Sequence, residues 1–199
     1  MTVSRTLRDI AGLGYTPARI ANSALVLIDC QNTYREGIMQ LEGVEPALAE
    51  CQKLLQRYRD AGRPIIHIQH DAGAGSPYDV KDRIGAIAEP VAPQAGEPAV
   101  VKNYPSSFEK TNLDELLKNL RVEELTLAGF MTHMCVNSTA RAAFNHGYRP
   151  TVVGNATATR SLASPTGGVV SAKELQEASL VALNDMFAVV VPGAEKIAD

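Results

Sequence analysis

Apolar positions along the chain follow two alternating rhythms. Ala24-Leu-Val-Leu-Ile-Asp29 is apolar almost without interruption, the pattern of a strand buried on both faces of a sheet. From Pro46 to Gly62 the apolar residues Leu48, Cys51, Leu54, Leu55 and Tyr58 recur at helical spacing, and Ala61-Gly62 supplies the stop. The same alternation continues. Strands are predicted at Pro64–His70, Ala99–Lys102, Glu124–Gly129, Pro150–Gly154 and Phe187–Val191, with helices at Thr111–Leu120 and Cys135–His146, the latter ended by Gly147. Ser171 and Glu174 have capping-box spacing, which predicts a last helix running to about Asp185. Strands alternating with helices of this length form a parallel sheet covered by helices, an α/β fold.

The stretch from Asp71 to Pro98 breaks the rhythm. It begins AGAGSPYD, ends EPVAPQAGEP, and leaves room for at most a short helix around Val80–Ile87. Connections of this length act as lids, binding loops or subunit contacts.

Composition narrows the function classes. A chain of 199 residues with 45% hydrophobic content builds one core, so the expected organisation is an arm at 1–22 and one domain at 23–199. A net charge of −3, with no block of lysine and arginine, argues against nucleic acid as a partner. Residues 1–22 lack the continuous apolar core of a secretory signal, and no later run suits a membrane span. The three cysteines are scattered without a Cys-x-x-Cys pair, so neither zinc nor a redox dithiol is expected, and the cytoplasm is the expected compartment.

Reactive side chains stand at three strand ends: Asp29 after the first, Lys102 after the third, and Cys135 where a helical pattern opens after the fourth. Ligands of open parallel sheets bind beyond the carboxyl ends of the strands, where the strand order reverses. A thiol at a helix N-terminus meets free N–H groups and the positive end of the helix dipole, which favour thiolate and would also hold an oxyanion. Taken singly, each has a plainer role. A cysteine on a helix is commonly a small buried hydrophobe, an aspartate at a strand end a turn residue or cap, and only Lys102, directly after Ala-Val-Val, demands a partner or an exit to water. Together they form a nucleophile, a base and a cation to orient the base.

These residues resemble the isochorismatase-like cysteine hydrolases. The resemblance lies in Asp29-Cys30-Gln31 after an apolar strand, in Lys102 followed by Phe108-Glu-Lys-Thr111, and in a Gly-x-x-Thr-x-x-Cys-Val-x-x-Thr-Ala-x-x-Ala pattern over 129–143. It implies a three-layer α/β/α, Rossmann-like fold with a six-stranded parallel sheet of order 3-2-1-4-5-6 and an Asp29-Lys102-Cys135 triad. It also implies a cis peptide before Met131, with the backbone N–H groups of Met131 and Cys135 as the oxyanion hole. Cys135 favours C–N bond hydrolysis of a small amide, ureido or carbamoyl compound through a thioester. The alternatives are vinyl ether hydrolysis of isochorismate with Asp29 as acid and, ranked last, a non-catalytic binding protein. The metal-binding histidines of nicotinamidases are missing: His67 and His70 are followed by no histidine until His133, so no metal and no other cofactor is expected. Gln31, His70, Phe108 and Asn155 are candidate substrate contacts, with Tyr78 and Arg83 of the long connection able to meet a substrate carboxylate. His67 is expected to be a satisfied core or interface histidine, Cys30 and Cys51 packing residues, and His133 a residue near the entrance outside the catalytic set. By analogy with relatives, a homodimer or homotetramer is expected, with the arm lying across a partner.

Overall fold

The computed structural model describes residues 3–199. After a short helix α1 (Leu7–Ala11), the chain runs β1 (Ser23–Ile28), α2 (Val44–Asp60), β2 (Ile65–His70), β3 (Ala99–Lys102), α3 (Leu113–Asn119) and β4 (Glu124–Phe130). It continues through α4 (Asn137–Asn145), β5 (Arg149–Ala158), the strand pair β6 (Leu162–Ala163) and β7 (Val169–Val170), α5 (Ala172–Asn184) and β8 (Val189–Val191). Six of these strands form a parallel sheet in the order β3-β2-β1-β4-β5-β8, while β6 and β7 pair antiparallel outside it. With the outlying pair set aside, this is the expected 3-2-1-4-5-6 topology.

β1 lies at the centre, and all six of its residues are buried. Its alternate side chains feed two cores. Leu25 and Leu27 pack with Leu48, Leu54, Leu55 and Tyr58 of α2 on one face. Ala24, Val26 and Ile28 pack on the other with Leu113 and Leu117 of α3, Ala140 and Ala143 of α4, and Leu183 of α5. The period of two in the strand and the helical spacing of α2 thereby become three layers, each buried leucine contributing about 1.5–3 kcal/mol. The Ser171–Glu174 capping box is formed and opens α5.

Three local features differ from the pattern-based expectation. The helix predicted from Cys135 begins at Asn137, and Cys135 sits in a preceding π-helical turn, Thr132–Val136. β5 extends four residues past Gly154, and β6 and β7, two residues each around the turn at 164–168, are too short for periodicity to reveal. The long connection holds 3-10 turns at Arg83–Gly85 and Glu89–Val91 in place of a helix over 80–87. It is pinned at several points. Gln31 bridges to Ile87, and Glu97 joins Arg59 at 2.7 Å and His67 at 3.0 Å. At Gly85 a Cβ would fall 2.2 Å from the Asp79 carbonyl oxygen, so only glycine fits there.

The arm is bound to its own chain. Arg8 donates to the carbonyls of Gly14 and Met186, and Ala18 and Ile20 are already buried. No helix among the described residues is long and apolar enough to cross a membrane.

Candidate active site

Parallel pairing sets the strand ends side by side. Ile28 of β1 is in register with Gly129 of β4, and His70 of β2 with Lys102 of β3. Asp29 follows β1 with φ of 49°, a left-handed conformation that aspartate tolerates better than most residues, and this turn directs the chain away from the sheet. Gly129 allows the close approach of β4: at φ of 119° its missing Cβ would stand 2.0 Å from the Ile28 carbonyl oxygen.

Lys102 Nζ lies 2.7 Å from Asp29 Oδ2 and 3.3 Å from Cys135 Sγ. All three residues are buried, Asp29 at 0%, Lys102 at 1% and Cys135 at 5% exposure. An ammonium this deep is held by the charge opposite it, since an unpaired buried cation is costly. Burial is the largest influence on the Cys135 thiol and, with the negative charge of Asp29, pushes it up to about 12 against the opposing pull of Lys102. Burial and that neighbouring charge therefore favour the protonated thiol in the resting site. Helix-end stabilisation of a thiolate, expected from the sequence, is outweighed because the sulfur lies inside the protein and next to an anion.

The peptide bond between Phe130 and Met131 is cis. The Met131 carbonyl accepts from the N–H groups of Met134 and Val136, whereas the Met131 N–H finds no acceptor among the described residues. An unpaired donor at the start of the turn that carries Cys135 is suited to a developing oxyanion.

The surroundings add polar groups. Tyr34 packs edge-on against Phe130 and Tyr78, with ring centroids 5.8 and 5.9 Å away. Its hydroxyl is raised well above the usual phenol range, by burial first and then by the charge of Asp29. Arg160 follows β5. Its Nη1 lies 3.5 Å from Met39 Sδ, its Nε is buried without a partner, and it has no carboxylate partner among the described residues. Its charge reaches both Tyr78 and His133.

Residues 23–195, which build this sheet and carry the three residues at its strand ends, fit the model of the isochorismatase domain. The chain belongs to the isochorismatase family. It is similar to the secreted isochorismatase effector Isc1 of Verticillium dahliae, 32% identical over 94% of this chain and 96% of that one. The crystal structure of an isochorismatase from Pseudomonas putida KT2440 superposes with a TM-score of 0.93 at 36% identity, covering 97% of this chain and 99% of that chain. Maleamate amidohydrolase of Pseudomonas putida is 34% identical over 65% of this chain and 69% of its own length. The protein is thus an isochorismatase-family hydrolase.

Within this family member the remaining candidate residues separate. Gln31 is fully buried and committed to the backbone: Nε2 donates to the carbonyls of His70 and Gly85, and Oε1 accepts from the His70 N–H. It fastens the loop after β1 to β2 and to the long connection, leaving no free polar atom for a substrate. Phe108 stacks on His146 and Tyr148 in the core on the α4 side. Asn155 opens on a separate cavity of about 490 Å³ with Gln176 and Lys173, a cavity none of the three triad residues lines. His70 joins the triad, its Nδ1 3.1 Å from Lys102 Nζ, and Tyr78 packs edge-on against it at 5.1 Å. Arg83 is exposed and pairs with Glu36. His67 is buried and satisfied by Glu97, and His133 bonds Thr159 Oγ1 at 2.5 Å. No group of three or more His, Cys, Asp or Glu side chains among the described residues is arranged to hold a metal.

Tyr34 and Arg160 carry no signal in the sequence pattern. Tyr34 occupies an apolar position of a short turn, and Arg160 follows a strand whose length periodicity underestimates.

Proposed function

We propose that this hydrolase cleaves a C–N bond of a small amide, ureido or carbamoyl compound through a thioester on Cys135. The observation that carries the reading is the buried ammonium of Lys102, shared between Asp29 Oδ2 at 2.7 Å and Cys135 Sγ at 3.3 Å. Asp29 takes the thiol proton as sulfur attacks the carbonyl carbon, and the N–H groups of Met131 and Cys135 hold the resulting oxyanion. Collapse expels ammonia or an amine with the proton returned by Asp29. The same carboxylate then activates the water that hydrolyses the thioester. Lys102 keeps a cation beside whichever partner is negative, so the proton moves from sulfur to oxygen without leaving an uncompensated buried charge. The free guanidinium of Arg160 supports a substrate that carries a carboxylate remote from the scissile bond. Similarity to an amidohydrolase that acts on maleamate favours the same class.

A second reading is vinyl ether hydrolysis with Asp29 as acid and Cys135 dispensable, favoured by the relatives that are named isochorismatases. One assay separates the two. Ammonia release is followed from a panel of amides, ureido acids and carbamoyl compounds, and isochorismate turnover alongside it, for the wild type and Cys135→Ala. Cysteine-dependent ammonia release supports the thioester route. Isochorismate turnover that survives Cys135→Ala overturns it.

A further inference from the structure

The Lys102 ammonium has three N–H donors, and three polar atoms surround it, one as an ion-pair partner and two within hydrogen-bonding geometry. They are Asp29 Oδ2 at 2.7 Å, His70 Nδ1 at 3.1 Å and Cys135 Sγ at 3.3 Å. An ammonium donates and never accepts, so His70 Nδ1 must present a lone pair to it. From this geometry we infer that His70 is a positioning residue. It is held as the neutral tautomer with its proton on Nε2, and its Nδ1 fixes the Lys102 ammonium in place between Asp29 and Cys135. This inference rests on the triad reading above and adds a fourth member to it.

The fold holds the ring for this task. Gln31 grips the His70 backbone from both sides, donating to its carbonyl and accepting from its N–H, each at 2.9 Å. Tyr78, from the long connection, lies edge-on to the imidazole. The parallel register opposes His70 to Lys102 across β2 and β3, which places the two residues side by side at the strand ends.

A second proton on the ring would set two cations about 3 Å apart, and the ammonium would lose one acceptor. The groups facing the imidazole are Lys102 on β3, Asp29 after β1, Asp71 next in the chain and Tyr78, with Cys135 beyond the ammonium. Burial and Lys102 hold His70 below the usual imidazole range, while Asp29 and Asp71 pull the other way. The neutral ring therefore persists below the pH at which a free histidine charges, and the array fails only under more acid conditions.

The test begins with the wild-type protein. A long-range proton–nitrogen correlation spectrum at pH 7.5, with His70 assigned through the backbone, should show the Nε2–H tautomer. Finding Nδ1–H or an imidazolium there overturns the inference whatever the substrate proves to be. Turnover of variants on the best amide supplies the second arm. His70→Asn places an oxygen acceptor near the position of Nδ1 and should keep activity within about threefold. His70→Phe, which preserves ring packing against Tyr78 but offers no acceptor, and His70→Gln, whose acceptor stands further out, should each lower kcat by about tenfold or more with KM nearly unchanged. A ring needed only for packing gives the reverse ranking, His70→Phe above His70→Asn, and that order also overturns the proposal. Full activity of Cys135→Ala would instead strike the thioester reading and leave the tautomer result standing.

Discussion

At Cys135, three effects compete for one proton. Burial and the Asp29 carboxylate favour thiol, the Lys102 ammonium favours thiolate, and the first two win. With the thiol pushed up to about 12, almost none of it is thiolate at neutral pH. Iodoacetamide should therefore label Cys135 far more slowly than a free cysteine, as followed by mass spectrometry. Asp29→Asn removes the anion that disfavours thiolate, so alkylation should accelerate by about tenfold or more while turnover is lost. Slower alkylation in that variant would refute the assignment of Asp29 as the neighbour that raises the thiol. Cys135→Ala should abolish ammonia release with the fold intact, measured by circular dichroism beside the assay.

At the scale of elements, close approach and one buried ion cluster set the site. Gly129→Ala places a methyl 2.0 Å from the Ile28 carbonyl oxygen at a backbone angle that disfavours a side chain. The central pair of strands must then part. A loss of several kcal/mol, or no folded protein at all, is expected from urea titration. Glu97 anchors the end of the long connection to α2 through Arg59 and to β2 through His67. The Arg59 hydrogen bonds are the largest cause of its shift from 4.5 to about 2. A carboxylate depressed on folding stabilises fully above its unfolded value and loses that contribution as pH falls through the folded one. Glu97→Gln should therefore cost about 1–2 kcal/mol at pH 7, allowing for screening, and almost nothing near pH 2. A penalty equal at both pH values would show that the ion pairs contribute little.

At the scale of the whole molecule, the arm and the domain share one core. Ile20 is buried among α2 and β1 residues, and the Ala18 N–H donates to Thr151 Oγ1 at 2.8 Å. The arm assigned from composition as 1–22 thus ends inside the domain. Deleting residues 1–16 should cost measurably less than deleting 1–22, which strips Ile20 from the core at about 2–5 kcal/mol. Chemical unfolding of the two truncations decides this, and equal stability would place Ile20 outside the cooperative unit.

The sequence by itself determined the layers, because periods of two and 3.6 report which face of each element is apolar, and both are local quantities. Asp29, Lys102 and Cys135 were also legible, as reactive residues at the ends of apolar runs that a parallel sheet must align. Tertiary structure alone decided the protonation of the thiol, since burial depends on what every other element covers. It alone placed His70 against Lys102, because the register of β2 against β3 is a property of neither strand. Gln31 and Phe108 have residue types that suit substrate contact, yet their polar atoms and ring face meet backbone and core. Arg160 stands where the true length of β5 puts it, at a boundary that pairing with β4 fixes and hydrophobic pattern does not.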